Sequence, residues 1–436
     1  MNIPFHDRPA ETIDPTQLAG LQLHRLRASV GHALCTPFYR QRLAECGLPE
    51  SFTMGALSDL RRLPFTVKDD LRASYPDGLL AVPRDQVVRV HMSSGTTGAP
   101  TVIYHTAKDL ETWTGLVVRS IAATGVTKFD VFQNMMTYGL FTGGLALHYA
   151  AEKLGMMVIP AGPGNTKRQI KLMRDFATTV VHATPSYLLH LYSALENEGV
   201  APGDLALKRA FLGAEPYSES TRQKIEALMG IDAYNSYGLS EMNGPGVAFE
   251  CVLKAGMHVW EDAYLIEVID PETLEPVRDG DEGELVFTTL RRQATPLLRY
   301  RTRDLSSIIP EPCACGRTHR RITRIKGRSD DMLIINGVNV YPSQIEGVLM
   351  KIREAGSNYQ IVIEKEGSLD KMIVKTEVSG DLFTGDLRSL EAVRRDIGNR
   401  LKTEILIHPS VELHEPGALP VSEGKAKRVV DNRPSL

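Results

Sequence analysis

Residues 91–102, HMSSGTTGAPTV, are rich in hydroxyl groups and glycine and follow the alternating run VVRV of residues 87–90. A loop of this kind is either a solvated hairpin turn or a cradle whose N–H and O–H groups bind an anion. Its composition alone favours the turn. It is not a GxxxxGK[ST] loop, because no lysine follows its last glycine. The rest of the chain has to decide between the two interpretations.

Four further stretches carry residues that could do chemistry. They are YGLFTGG (138–144), YNSYGLSEMNGPG (234–246), RYRTRDL (299–305) with GRSDD (327–331), and SEGKAKRVVD (422–431). Together they offer an aromatic ring followed by a carboxylate, an Arg/Asp pair, and a lysine next to a glycine. An isolated polar residue of any of these types is more often structural. Their ordered occurrence in one chain favours a functional role.

Three of the five cysteines, together with a histidine, indicate a metal site. Cys251 and His258 lie close in sequence, and Cys313 and Cys315 follow later in the chain. Three cysteines and one histidine can form a closed tetrahedral zinc site. His319 is the alternative histidine ligand, and reduced thiols in a polar turn are the alternative to a metal. The odd, sparse set of cysteines is not typical of a disulfide framework.

Strands and helices alternate between residues 86 and 230. We predict strands in QVVRVHM, MMVIPAG, TTVVHATPS and RAFLGAEP, each followed by a helical segment. This alternation is typical of a largely parallel sheet covered by helices, and ligands bind such sheets at the carboxyl ends of the strands. Ser218 is the predicted N-cap of the helix that follows RAFLGAEP.

The chain changes character on either side of this region. Residues 1–80 are predicted to be helical, and the short strands after Asp262 indicate an antiparallel or barrel-like unit. Beyond Gly327, strands and one long helix form a small α+β unit. We place a domain boundary at residues 328–331, which gives an N-terminal domain of residues 1–328 and a C-terminal domain of residues 329–436.

The composition excludes several classes of partner. The chain is 42% hydrophobic and 24% charged, with a formal net charge of −3, which gives no reason to expect binding to nucleic acid or an anionic membrane. Its N-terminus lacks the regions of a secretory signal, and no apolar run approaches the roughly 18 residues of a membrane span. We therefore expect a cytoplasmic protein.

The five motifs together resemble the adenylate-forming ligase superfamily, and specifically its phenylacetate–coenzyme A ligase branch. The resemblance runs from about residue 37 to the C-terminus. It implies an α/β protein with the adenylate-forming ligase fold: a large N-terminal domain with parallel sheets and a β-rich subdomain, plus a small mobile α+β C-terminal domain. It also implies two half-reactions, in which an aryl carboxylate forms an acyl-adenylate with ATP and coenzyme A then displaces AMP.

The resemblance implies roles for single residues in binding ATP. The phosphate loop would consist of Ser93, Ser94, Gly95, Thr96, Thr97 and Gly98. Ala99 stands where many relatives have lysine, so we expect weaker ATP affinity but not inactivity. The adenine would stack on Tyr237 beside Gly213, Ala214, Glu215 and Pro216.

The motifs that follow imply catalytic and conformational roles. Ser240 would touch the α-phosphate, Glu241 would hold Mg²⁺, and Asp304 would accept the ribose hydroxyls with Arg328 nearby. Lys425 would reach the reacting carboxylate and phosphate, and Asp330 would be the hinge of the C-terminal domain.

The resemblance implies an aromatic acid such as phenylacetate or a benzoate-type acid. Tyr138, Phe141, Ala214 and Asn243 are expected to line its pocket, and Asn243 and His182 could meet a polar ring substituent. The expected partners are this acid, ATP and coenzyme A, with a homodimer left open. Two other classes stay open: an enzyme that loads a carrier-protein thiol, and a nucleotide-binding protein without ligase activity.

Overall fold

The computed structural model describes residues 3–49, 52–93, 100–140, 142–366, 369–378, 387–420 and 427–433. The chain forms two compact units. The first contains the residues up to Gly162 and Tyr234–Arg324, and the second contains Pro163–Ala233 and the residues from Ile325 onward. Among the described residues, no helix combines the length and the apolar character needed to cross a lipid bilayer.

The first unit begins with the predicted helical region. Its helices are α1 (Arg8–Glu11), α2 (Pro15–Ala33), α3 (Pro37–Glu45) and α4 (Lys68–Ala73). Each of the first three has a side-chain cap: the carboxylates of Asp7 and Asp14 and the hydroxyl of Thr36 accept N–H groups of the first turns. The prediction of helices in this region is confirmed.

A hairpin of two strands follows, and it leads into a long helix. β1 (Val87–Met92) pairs antiparallel with β2 (Val102–Thr106), and α5 (Ala107–Ala122) begins at once. The strand predicted in QVVRVHM is confirmed, and it pairs in a hairpin and not with a parallel neighbour. The residues between Met92 and Val102 are too few for the crossover of roughly a dozen or more residues that a parallel pair needs.

The remaining strands of the first unit form one parallel pair and two antiparallel groups. β3 (Val131–Asn134) and β4 (Met157–Ile159) are parallel and are connected through α6 (Thr142–Leu154). One antiparallel group contains β7 (Asp232–Leu239), β8 (Gly244–Glu250), β9 (Met257–Val259), β13 (Ile308–Ile309) and β14 (Arg321–Ile322). The other contains β10 (Tyr264–Ile269), β11 (Gly283–Thr289) and β12 (Tyr300–Ser306). The predicted β-rich part after Asp262 is confirmed.

The first part of the second unit has the predicted alternation. Its elements are α7 (Thr166–Asp175), β5 (Val180–Ala183), α8 (Pro185–Asn197), β6 (Arg209–Gly213) and α9 (Glu219–Met229). β5 and β6 are parallel neighbours. Ser218 caps α9, because its hydroxyl accepts the Thr221 N–H at 3.1 Å. The predicted N-cap is therefore confirmed.

The second part of the second unit has the predicted α+β character. It contains β15 (Gly327–Arg328), β16 (Leu333–Ile335), β17 (Val338–Val340), α10 (Pro342–Leu349), β18 (Ala355–Glu366), β19 (Leu369–Val378), α11 (Leu387–Ile405), β20 (Ser410–His414) and β21 (Val429–Asp431). Four of these strands form a mixed sheet in the order β20-β19-β18-β21. The boundary predicted at residues 328–331 lies close to Ile325, where the chain re-enters this unit.

Candidate functional site

The foot of the Ser/Gly-rich loop is closed by hydroxyl groups. Ser93 and Thr101 face each other, with the Ser93 N–H donating to the Thr101 carbonyl at 3.1 Å and the two side-chain oxygens 2.6 Å apart. Thr101 is buried, and its hydroxyl lies 3.5 Å from Oε1 of Glu241. The foot of the loop is therefore next to the predicted magnesium ligand. Ser94, Gly95, Thr96, Thr97, Gly98 and Ala99 lie outside the described residues.

Glu241 is a buried carboxylate on the short helical turn that follows β7. Its Oε1 lies 3.7 Å from Nζ of Lys68, the first residue of α4. A buried carboxylate needs a positive partner, because burial is costly for an unpaired charge. Lys68 is a functional candidate that the sequence did not indicate, because no pattern in the neighbouring residues predicts its contact with Glu241.

Arg292 is a second residue that the sequence missed. Its guanidinium is buried and donates to the main-chain carbonyls of Glu241 at 2.5 Å and Thr295 at 3.2 Å, and to Oδ1 of Asn243. Burial lowers the pKa of this guanidinium below its usual value. The arginine fixes the turn that carries Glu241. Asn243, which has a left-handed backbone at φ 75°, uses its side-chain oxygen in this turn.

Tyr237 and Asp304 were both predicted at the nucleotide, and the structure brings them together. The Tyr237 hydroxyl donates to Oδ2 of Asp304 at 2.7 Å, and the Asp304 N–H donates to the Thr302 hydroxyl at 3.0 Å. Tyr237 is buried near the end of β7, and Asp304 belongs to β12. The contact fixes the direction of the carboxylate, which can still accept further hydrogen bonds.

Tyr138 belongs to a hydrogen-bonded group on and before α6. Its hydroxyl oxygen lies 2.9 Å from Nδ2 of Asn134 and 3.2 Å from Nδ1 of His148, whose Nε2 lies 3.1 Å from Oε1 of Glu152. Burial raises the pKa of Tyr138 to about 12, so the phenol stays protonated. Nearby, the hydroxyls of Ser240 and Thr142 are 3.4 Å apart. Phe141 lies outside the described residues.

The predicted adenine segment of the second unit follows β6. Ala214 has a left-handed backbone with φ 69°, which turns the chain immediately after the strand. The Glu215 carboxylate accepts the Ser186 N–H at 2.7 Å and so caps the first turn of α8. Pro216 lines a cavity of about 520 Å³ together with Glu215. His182, on β5, is buried, and burial lowers its pKa to about 3.

Two residues predicted at the hinge and the ribose contact each other in the second unit. Nε and Nη2 of Arg328 donate to the two carboxylate oxygens of Asp330 at 2.8 Å each. This bidentate geometry fixes both side chains. Asp330 also lines the cavity described above. Lys425 lies outside the described residues.

Cys251, His258, Cys313 and Cys315 form one buried cluster. Their potential ligand atoms all lie within 4.8 Å of one another, with Cys251 Sγ 4.0 Å from Cys313 Sγ and Cys315 Sγ 3.4 Å from Nε2 of His258. A hydrogen bond from Cys251 and the nearby imidazole hold the pKa of the Cys315 thiol far below its ordinary value. The residue types and spacings that the sequence indicated are therefore close enough to share one metal ion.

His319 supports this cluster but is not part of it. Its Nδ1 accepts the Glu261 N–H at 3.2 Å, and its Nε2 lies 2.9 Å from the Ala10 carbonyl. Its own carbonyl lies 3.2 Å from Nδ1 of His258. A bond from His258 to this carbonyl leaves Nε2 of His258 free to face the cysteines, as in other protein metal sites.

The N-terminal segment packs against the loop that carries Cys313 and Cys315. Glu11 forms a fully buried ion pair with Arg317 at 2.7 Å, and the Thr318 N–H donates to the Glu11 carbonyl at 3.2 Å. Ile3 packs against the cysteine cluster. No sequence pattern predicts these contacts, because Glu11 and Arg317 are 306 positions apart.

Two family models match the chain. One, described as AMP-binding enzyme, matches residues 50–290, and the other, described as AMP-binding enzyme C-terminal domain, matches residues 337–433. The predicted division after residue 328 falls between the two matches. Curated relatives are similar over nearly their whole length. Phenylacetate-coenzyme A ligases from Pseudomonas putida and Escherichia coli (strain K12) are 46% and 44% identical, covering 98% of this chain and 99% and 97% of theirs.

A relative from Thermus thermophilus, also a phenylacetate-coenzyme A ligase, is 47% identical over 97% of this chain and 98% of its own. Among solved structures, 2-hydroxyisobutyryl-CoA ligase in the postadenylation state with 2-HIB-AMP matches with a TM-score of 0.92 at 28% identity. The same ligase with 2-HIB-AMP and CoA in the thioesterification state matches with a TM-score of 0.72 at 28% identity. Both matches cover 98% of this chain and 92% of that one.

Proposed function

Because this chain belongs to the phenylacetate–coenzyme A ligase family of AMP-binding enzymes, we propose that it joins an aromatic carboxylic acid to coenzyme A with ATP as the energy source. A carboxylate oxygen attacks the α-phosphorus, the bond to pyrophosphate breaks, and an acyl-adenylate forms. The coenzyme A thiolate then attacks the acyl carbon, and AMP leaves. The full-length match to curated phenylacetate-coenzyme A ligases carries this proposal.

Glu241 is proposed as the carboxylate that holds Mg²⁺ on the phosphates. It is buried, it lies beside the foot of the loop, and it already has a cation, Lys68, near Oε1. A carboxylate oxygen suits a hard cation. A bound Mg²⁺ would supply charge stabilisation at the phosphates, which is worth several kcal/mol for a typical metal contact. Arg292, through the Glu241 carbonyl, holds the turn in place.

Ser93 to Gly98 are proposed to bind the departing pyrophosphate through N–H and O–H groups. The hydroxyl pair at the foot, Ser93 and Thr101, supports this by fixing where the loop starts and ends. Ala99 contributes no positive charge, so the prediction of weaker ATP affinity is retained. Ser240 and Lys425 keep their predicted roles at the α-phosphate and the reacting carboxylate.

Tyr237 and Asp304 are proposed to bind the nucleoside. The hydrogen bond between them supports this, because it orients an acceptor for the ribose hydroxyls next to an aromatic ring. Gly213 to Pro216 are proposed to face the adenine through their main chain, since the Glu215 side chain is used to cap α8. Arg328 and Asp330 keep their predicted roles near the ribose and at the hinge between residues 1–328 and 329–436.

The acid is proposed to be aromatic and to contact Tyr138, Phe141, Ala214 and Asn243. Tyr138 supplies a ring whose hydroxyl is already held by Asn134 and His148. Asn243 is less free to meet a substituent, because Arg292 takes its side-chain oxygen. The aromatic ring of Tyr138 and not its hydroxyl is therefore the part available to an apolar acid.

A structural Zn²⁺ is proposed for the cluster of Cys251, His258, Cys313 and Cys315. The four residues fit it, since they are buried, their ligand atoms lie within 4.8 Å, and a carbonyl orients the imidazole. Zinc would neutralise the thiolates and connect β9 to the loop before β14. A homodimer and a cytoplasmic location remain predictions, which size-exclusion chromatography and cell fractionation would test.

Pyrophosphate release with a panel of aryl and aliphatic acids tests the function. We expect release with phenylacetate-like or benzoate-like acids, and an acyl-coenzyme A product only when coenzyme A is added. Release without any coenzyme A ester, but with transfer to a carrier-protein thiol, would favour the carrier-loading alternative. Nucleotide binding without release for any acid would contradict the ligase assignment.

A further inference from the structure

Glu346, on α10, is buried against the N-terminus of α9. Its Oε1 accepts the Ser218 N–H at 3.0 Å and also the Thr221 hydroxyl, and its Oε2 accepts the Tyr359 hydroxyl at 3.0 Å. Three donors thus satisfy one buried carboxylate, which is the condition for such a group to be stable away from water.

The α9 side of this contact is a capping network. Ser218 Oγ accepts the Thr221 N–H and lies 2.9 Å from Thr221 Oγ1. Because the Thr221 hydroxyl donates to Glu346, the Ser218 hydroxyl is the donor of this second bond. The network therefore ends on a negative charge at the N-terminus of a helix, where the helix dipole and the unpaired N–H groups favour it.

The contact joins parts of the chain that match different family models. α9 lies within the matched residues 50–290, whereas Glu346 and Tyr359 lie within the matched residues 337–433. Lys224, further along α9, donates to the Ala355 carbonyl at 3.1 Å. Three hydrogen bonds therefore connect α9 and its N-cap to the C-terminal domain, whereas the bond from Tyr359 to Glu346 stays inside that domain.

The similar 2-hydroxyisobutyryl-CoA ligase has been solved in two states of its reaction. It matches this chain with a TM-score of 0.92 in its postadenylation state and 0.72 in its thioesterification state, at the same identity and coverage. The two structures of that ligase therefore differ from each other, and this chain is more similar to the first. A side chain that stabilises only one state shifts the balance between them.

We propose that Glu346 is a positioning residue that holds the C-terminal domain on α9 during acyl-adenylate formation, and that its bonds to Ser218 and Thr221 break before the thioester forms. This rests on the proposed two-step function. Tyr359 would keep its bond to Glu346 in both states, because both residues belong to one domain. The freed N–H and hydroxyl groups lie at a helix end, where water can satisfy them.

Measuring the two half-reactions separately on Glu346→Ala tests the proposal. Pyrophosphate release in the presence of ATP and phenylacetate reports the first, and thioester formation from synthetic phenylacetyl-adenylate and coenzyme A reports the second. We expect the first rate to fall about tenfold, the size of a lost hydrogen bond to a charged group, and the second to stay equal or rise. Glu377→Ala is the matched control, because the Glu377 carboxylate accepts bonds from Asn358 and Leu419 of its own domain.

Thr221→Val is the reciprocal variant and keeps the test usable if Glu346→Ala does not fold. It removes one donor from the α9 side, so we expect a smaller loss confined to the first half-reaction and no additional loss in the double variant. Equal changes in both rates, or an unchanged first rate, would overturn the role of Glu346 alone. A wild-type enzyme that releases no pyrophosphate with any acid would instead overturn the proposed function on which this role rests.

Discussion

The hydroxyl of Tyr237 donates to Oδ2 of Asp304 across 2.7 Å and so connects the end of β7 to β12. Neither residue is close to the other in sequence. The bond leaves the second carboxylate oxygen able to accept other donors. It also gives the Tyr237 phenol a part in fixing the direction of the Asp304 carboxylate.

Tyr237→Phe should therefore weaken ATP binding while leaving the fold intact. The ring remains for stacking, but Asp304 loses one donor that helps to orient it. We expect the KM for ATP to rise by about three- to tenfold, which corresponds to the net value of one hydrogen bond to a charged group. Steady-state kinetics at saturating acid would measure it. Tyr39→Phe removes a buried hydroxyl bonded to the Leu298 N–H and should lower only the free energy of unfolding.

Glu241→Gln should slow acyl-adenylate formation by more than about tenfold, because the charge that would hold Mg²⁺ is lost while the shape is kept. Pyrophosphate release at several Mg²⁺ concentrations would show it. Glu250→Gln is a matched control, since Glu250 is also buried but accepts the Asn235 N–H on a neighbouring strand. Unchanged release by Glu241→Gln across the Mg²⁺ series would contradict the assignment.

Cys313→Ser should remove the metal and destabilise the first unit. Elemental analysis of tag-free protein should give about one zinc per chain for the wild type and much less for the variant, with a lower thermal midpoint. Cys46→Ser changes an exposed thiol and should alter neither value. The proposal would be refuted if purified wild-type protein contained no zinc and its thermal midpoint did not change after dialysis against a chelator.

Lys425→Ala should slow the first half-reaction and spare the second. The lysine ammonium is proposed to stabilise negative charge as the carboxylate attacks the α-phosphorus, and the loss of one such donor costs roughly 2 to 4 kcal/mol. The rates of pyrophosphate release and of thioester formation from the prepared adenylate would be compared on one preparation. Lys427→Ala, two residues further along, is the control for the loss of a nearby positive charge.

His182→Gln should reduce the acid sensitivity of the protein. Burial lowers the pKa of His182 to about 3, so the imidazole stays neutral in the folded state but binds a proton in the unfolded state below its usual value. Its contribution to stability is therefore present above about pH 6.5 and is lost as the pH falls toward 3, with each unit worth about 1.4 kcal/mol. Urea unfolding at pH 7, 5.5 and 4.5 would measure this. His24→Gln, an exposed position, should leave the slope unchanged.

Local sequence patterns predicted the elements that depend on neighbouring residues. The spacing of apolar residues predicted α2 and α9, and the hydroxyl of Ser218 predicted the start of α9. Local patterns failed where contacts with residues distant in sequence determine the structure. α6 was not predicted, because glycines interrupt its sequence; yet Gly144 is required there, since a Cβ would lie 2.6 Å from the Thr137 carbonyl oxygen.

The same distinction between predictable and unpredictable residues holds for the candidate site. Residue type and order were enough to select Tyr237, Glu241, Asp304 and the cysteine cluster, because each carries a functional group that its role demands. Lys68 and Arg292 could not be selected, because a lysine at a helix start and an arginine after a strand are ordinary surface residues in a sequence. Only the fold shows that Arg292 is buried and that Lys68 faces Glu241.

The buried pair of Glu11 and Arg317 has a consequence for the order in which this protein matures. During synthesis the N-terminal segment leaves the ribosome first, but its partner exists only after 306 more residues have been added. Until then Glu11 has no buried partner, and Cys313 and Cys315 have not been made. Closure of the cysteine cluster, and any loading of zinc into it, must therefore wait until most of the first unit has been translated.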